Sequence, residues 1–169
     1  TCGNCEYCKQ GREHLCPDRS ILGMSKPIKR EGGLAEYVSI PDKNIYEIPK
    51  GLDTKEAAVA EPTAVSLHAV LLGEQTLKKP ISECRVLIQG GGAIGLLCGL
   101  ILAKDKGCKN IVLSDPNKKR LDECSKYLDA KYVVPNDKII NSNGFDIVFD
   151  SVGLEASRQQ AIEVVAPGG

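Results

Sequence analysis

This sequence of 169 residues lacks any net charge, because 22 lysines and arginines are matched by 22 aspartates and glutamates. A nucleic-acid binder ordinarily carries a basic excess, so that class is disfavoured. Low-complexity stretches are missing too, and 42% hydrophobic residues are enough for a packed core. No stretch reads convincingly as a membrane span. The nearest, Val86 to Ala103, runs 18 residues without a charge, and Gly95 and Gly99 have the spacing of a helix-dimer motif. Gln89 and five glycines interrupt it, however, which suits a buried strand, a glycine turn and a buried helix better. The chain also starts without methionine or leader; the expectation is that any targeting segment precedes Thr1 in a longer protein.

Cysteine, by contrast, is plentiful. Four of the eight fall in TCGNCEYCKQGREHLCP, spaced Cys-x2-Cys-x2-Cys-x7-Cys at Cys2, Cys5, Cys8 and Cys16. Short intervals turn several thiolates toward one point, and the longer loop returns the fourth. Four sulfurs suit a closed, tetrahedral, structural zinc site. Gly3, Asn4, Gly11 and Pro17 predict an irregular loop rather than a helix. An iron–sulfur pattern is similar but wants three residues before the last cysteine, and here there are seven. A nucleic-acid zinc module usually pairs two separated Cys-x2-Cys knuckles on a basic surface, and neither is seen; chance or disulfide pairing is the remaining alternative. His14 reads as a surface residue, because four thiols already fill a shell. Cys84, Cys98, Cys108 and Cys124 have no paired spacing and read as ordinary thiols. The extended α/β pattern needs no covalent staples, so a reducing cytoplasmic setting is expected.

In the middle of the chain, LAEYVSIP predicts a short strand with Val38 and Ile40 on one face. A helix follows from Thr54, which is placed to cap it, and Pro62 restarts a second helix ending at Gly73. Glu61 stands at that junction, where a carboxylate is favoured by the helix dipole alone. His68 reads as a core histidine on an apolar helical face.

The clearest chemistry lies further on. CRVLIQ is an apolar run ending in GGGAIG, and LLCGLILA continues with helical character. The glycines of this Gly-x-Gly-x-x-Gly are Gly90, Gly92 and Gly95: one for a tight turn, one for approach to a pyrophosphate, one for close packing. Alone the motif is weak. A second strand, NIVLSD, ends in Asp115, 20 residues after Gly95, where a dinucleotide site wants a ribose-binding carboxylate. Asn117 or Asp115 caps the next helix, YVV and FDIVFDSVG supply two more strands, and a last helix spans about Glu155 to Val165. This alternation predicts an α/β fold with a doubly wound parallel sheet.

The cysteine loop, GGLAEY, EPTAVSLHA, GGGAIG, SDPNKKR and FDSVG, in that order, make the chain resemble the zinc-dependent medium-chain dehydrogenases along nearly its whole length. Glu61-Pro62 with His68-Ala69 looks most like the sorbitol (polyol) branch, beside threonine and butanediol dehydrogenases. The resemblance implies a partial GroES-like catalytic domain over residues 1–72 and a partial NAD-binding Rossmann domain over 73–169. It makes Cys2, Cys5, Cys8 and Cys16 the structural-zinc ligands and puts Glu61 beside a catalytic zinc. Val65 would pack against the nicotinamide, while Gly90, Gly92, Ala93, Ile94 and Gly95 line the pyrophosphate. Asp115 holds the adenine ribose with Arg120 nearby, and Val152 and Gly153 border the cofactor cleft. The implied activity is NAD-linked oxidation of a small alcohol or polyol, with the catalytic zinc as Lewis acid, in a homo-oligomer when full length, without nucleic-acid or membrane partners. Other catalytic-zinc residues of the family, a cysteine and a Gly-His-Glu triplet, are expected upstream of Thr1, so the chain alone is expected to be inactive. The alternatives are a non-catalytic zinc- and nucleotide-binding module or another medium-chain reductase. NDKIINSNG is shorter than the family's usual helical segment, which leaves the third crossover's shape open.

Overall fold

A computed structural model describes residues 1–24, 28–140 and 144–169, in two compact units, Thr1–Pro49 and Lys50–Gly169. The first unit is mostly irregular. It contains one helical turn, α1 (Glu6–Lys9), and 3-10 turns at Glu13–Leu15 and Asp42–Asn44. Cys16 is its only buried hydrophobic side chain among the described residues, while Leu34, Tyr37 and Tyr46 stand exposed. The strand expected in LAEYVSIP is absent. Strands form by sharing backbone hydrogen bonds with a neighbour, and no strand of this unit lies alongside among the described residues.

The second unit opens with α2 (Thr54–Ala57) and α3 (Ala60–Thr76). The cap of α2 is Asp53 rather than Thr54. Asp53 accepts from the Lys55 N–H at 2.8 Å, and Glu56 accepts in return from the Asp53 N–H at 3.1 Å. A carboxylate followed three residues later by Glu closes this reciprocal capping box. Helix α3 begins two residues before Pro62, whose missing N–H costs nothing in a first turn. It also runs past Gly73, the expected end, to Thr76. That glycine serves packing: a Cβ there would lie 2.5 Å from Ile147 Cδ1. His68 is exposed, not a core histidine.

Four parallel strands follow, β1 (Arg85–Gln89), β2 (Asn110–Ser114), β3 (Lys131–Val133) and β4 (Ile147–Asp150), in spatial order β3-β2-β1-β4. Between and after them run α4 (Ala93–Leu100), continued by a π turn at Ile101–Asp105, then α5 (Lys118–Ser125) and α6 (Glu155–Val164). Alternate strand residues divide the core. Val86, Ile88, Ile111, Leu113 and Ile147 pack with Val70, Cys98, Leu102 and Leu121 on one face. Leu87, Val112, Val133, Ile140, Phe145 and Val164 close the other. Strand β4 is an edge, and Phe145, two residues before it, forms an isolated parallel bridge with Val165 just after α6. In the shortened third crossover, Ile140 is buried and residues 141–143 lie outside those described.

Candidate metal centre and nucleotide cleft

In the first unit the cysteine spacing becomes a cluster. Cys5 is the N-cap of α1, so Cys5 and Cys8 sit three residues apart on one helical face. This helical turn replaces the fully irregular loop expected from the sequence, and it aligns the two thiols. Gly3 and Gly11, with φ of +74° and +71°, turn the chain on either side. Cys16 follows the turn Glu13–Leu15 and is buried. The four sulfurs all lie within 4.8 Å of one another, against about 3.8 Å for sulfurs placed tetrahedrally about 2.3 Å from zinc. The N–H groups of Asn4 and Cys5 donate to Cys2 Sγ at 3.4 and 3.3 Å, and hold its pKa down to about 6. Burial pushes the Cys8 thiol up to about 11, with the neighbouring thiols adding to the shift. The donor set therefore includes a sulfur already biased toward thiolate, the ligating form. Four thiols with this spacing fit a closed zinc shell. His14 lies outside the cluster.

At the opposite extreme of local order, the second unit assembles the glycine turn at the C-terminal ends of β1, β2 and β4. Gly90 has φ of +100°, and a Cβ there would lie 2.7 Å from Ser151 Oγ and 3.0 Å from Val152. Gly95 is packed so that a Cβ would overlap the Gly90 carbonyl. Gly92, the N-cap of α4, faces open space. The three glycines thus differ in surroundings: a left-handed turn at Gly90, open space at Gly92 and close packing at Gly95. Gly92, Ala93 and Ile94 are exposed at the helix start, where free N–H groups favour phosphate.

Asp115 is only 2% exposed. Its carboxylate accepts from the Gly91 N–H at 2.8 Å and the Asn117 N–H at 2.7 Å, with Arg120 at 3.6 Å. It therefore ties the glycine turn to the end of β2. Asn117, one of the two expected caps, caps α5 through Lys119 N–H at 3.0 Å. Across the cleft, Asp150 Oδ1 accepts from the N–H groups of Val152 and Gly153 at 2.9 and 3.1 Å, shaping the turn after β4. Both residues are exposed.

Several members of this arrangement have no motif to announce them. Ser66 is buried in α3, its hydroxyl 2.9 Å from the Pro62 carbonyl and 3.2 Å from that of Ile94, so it joins α3 to the glycine-turn helix. Ser151 donates to the Gln89 carbonyl at 2.6 Å. Val65, beside Ser66, is half exposed. Glu61 is exposed in the first turn of α3, and among the described residues no metal-ligand group forms around it. The four remaining cysteines are free and buried, and burial raises their thiol pKa values, that of Cys98 to about 12.

A parallel sheet whose strand order reverses between β1 and β4, with a glycine turn at that point, defines a dinucleotide-type fold; a four-thiol lobe accompanies it. Family profiles agree. "Alcohol dehydrogenase GroES-like domain" matches residues 1–50, and "Zinc-binding dehydrogenase" matches residues 93–169. The chain belongs to the zinc-binding medium-chain dehydrogenase family. It is 32% identical over 177 residues to L-threonine 3-dehydrogenase of Pyrococcus horikoshii, covering 99% of this chain and 47% of the relative. D-xylulose reductase A of Aspergillus oryzae is 33% identical over 180 residues, at 99% and 48% coverage. A solved structure from Sinorhizobium meliloti 1021, described as a zinc-binding dehydrogenase bound to NADP, is 30% identical with a TM-score of 0.83, covering 100% of this chain and 49% of that one. The chain spans about half the length of the curated relatives it matches. No helix among the described residues is long and apolar enough to cross a membrane.

Proposed function

We propose that this chain supplies the structural-zinc lobe and the dinucleotide half of an NAD-linked zinc dehydrogenase acting on a small secondary alcohol or polyol. The glycine turn, tied to the buried Asp115 at the sheet's switch point, carries this reading. NAD, when bound, accepts the hydride. The chain's own residues position it: Gly92, Ala93 and Ile94 receive the pyrophosphate, Gly95 fixes α4 against the turn, and Asp115 accepts from the ribose hydroxyls with Arg120 alongside. Val152 and Gly153 border the cofactor, and Val65 packs against its nicotinamide end. Zinc held by Cys2, Cys5, Cys8 and Cys16 is structural. Residues 1–72 belong functionally with the catalytic domain and 73–169 with the cofactor domain. The setting is cytoplasmic, and the complete enzyme is a homo-oligomer.

Asp115 repels a 2′-phosphate, so NAD is preferred over NADP. The relative bound to NADP and the basic run Lys118, Lys119 and Arg120 make this the decisive comparison. Measuring kcat/KM for both cofactors on the full protein should favour NAD; equal or better use of NADP removes the ribose role from Asp115. Glu61 serves the catalytic metal in the complete enzyme, so Glu61→Gln should lower turnover while fold and NAD binding survive. Unchanged activity would leave Glu61 a first-turn carboxylate only.

The second reading is a non-catalytic zinc- and nucleotide-binding module. The four-thiol cluster supports the zinc-binding part of this reading. Assayed alone, the 169-residue chain should form no NADH from sorbitol, butanediol or threonine, because catalytic zinc needs three protein ligands and Glu61 is the one candidate. Turnover by the full protein separates the two readings.

A further inference from the structure

We propose that Gln89 and Ser114 form a hydrogen-bonding floor that reads the edge of the adenine ring, so that this site selects the base as well as the phosphates. The inference rests on the nucleotide reading above. It starts from a cavity of about 270 Å³ across the C-terminal ends of β1 and β2 and the start of α6, with Pro116, Val152 and Leu154 among its apolar walls. Gln89 and Ser114 line it from below, paired directly across the β1–β2 ladder. Each is 3% exposed, and Gln89 Oε1 and Ser114 Oγ are buried without a hydrogen-bond partner among the described residues. Buried polar atoms are rarely left so, and two unpartnered ones in one cavity point to a polar occupant.

A relay fixes which end of Gln89 is free. The Pro135 carbonyl can only accept, so Gln160 must turn Nε2 toward it, at 2.7 Å. That leaves Gln160 Oε1 to accept from Gln89 Nε2, at 2.9 Å. Reversing the Gln89 amide would set oxygen against oxygen, so the atom left over is Oε1, an acceptor. Beside it Ser114 offers a hydroxyl that can donate. Adenine carries the complement on one edge, an exocyclic amine next to a ring-nitrogen acceptor, and flat apolar faces for the walls. A base with a carbonyl in place of the amine would oppose that oxygen to Gln89 Oε1.

The test is calorimetric titration of the full protein with NAD and with nicotinamide hypoxanthine dinucleotide, whose base has that carbonyl. Wild type should bind NAD about tenfold or more tightly than the analogue. Gln89→Leu and Ser114→Ala should narrow the ratio, mainly by weakening NAD. Equal affinity of wild type for the two overturns the inference and leaves nucleotide binding intact, with water satisfying both atoms. Failure of both dinucleotides to bind overturns the nucleotide reading itself, and this inference with it. If Gln89→Leu does not fold, the wild-type ratio and Ser114→Ala decide.

Discussion

Thr1–Pro49 buries a single hydrophobic side chain among its described residues, Cys16, whereas Lys50–Gly169 buries apolar side chains on both faces of a four-stranded sheet. Taken by themselves, these residues have too little apolar core to offset their chain entropy by burial, a situation in which small modules use metals or cross-links. The second unit has the opposite economy: central strands β1 and β2 are buried nearly end to end, and its thiols simply pack. Cysteine thus means two different things in one chain. Four converge where hydrophobic burial fails, and four sit as small apolar groups where it succeeds.

The sharpest way to break this contrast is Cys16→Ser. Structural zinc contributes apparent folding free energy of roughly 10–16 kcal/mol in small modules, so removing the buried ligand should abolish zinc retention and unfold the cysteine loop. Metal analysis with proteolysis mapped to each unit checks this; retained zinc or an intact loop contradicts it. Next in size is Gly95→Ala, whose Cβ meets the Gly90 carbonyl and Ser151. It should destabilise the second unit by about 3 kcal/mol, read from the urea midpoint, and leave zinc content alone. Gly92→Ala sharpens the comparison within the turn. Gly92 has φ of −79° and open space around it, so stability should hold within about 0.5 kcal/mol. Its methyl stands in the phosphate approach instead, and NAD affinity should drop about tenfold.

These glycines also show what was legible in the sequence. Strand, glycine turn and helix, and the cysteine spacing, are local patterns, and the structure builds both. LAEYVSIP misled because alternation says only that a segment suits a sheet, while a strand exists only beside another. Helix α3 outran Gly73 because that glycine fits a close approach to Ile147, 74 residues further on. The polar floor was invisible for the same reason: Gln89 meets Gln160 across 71 residues, and no spacing rule links them.

The smallest expected effect lies at the N-terminal end of the sheet. Burial pushes the Asp146 carboxyl up, but the Arg85 N–H at 2.7 Å and Lys79 at 2.9 Å outweigh it and hold the pKa below its ordinary 3.8. A depressed carboxylate pKa contributes stability that is full above the unfolded value and fades as pH falls through the folded one. Asp146→Asn should therefore cost about 1 kcal/mol at pH 7. The gap should close below about pH 4. A pH series of thermal midpoints measures it, and a gap that widens in acid would reverse the assignment.

The central claim, that metal organises one unit and hydrophobic burial the other, is tested most directly by hydrogen exchange on the zinc-loaded and chelator-stripped protein. The account predicts that stripping zinc removes protection from the amides around Cys2 to Cys16, while β1 and β2 stay protected and NAD still slows exchange in the glycine turn. Protection of the cysteine loop that survives stripping, or a sheet that loses protection together with it, would contradict the account.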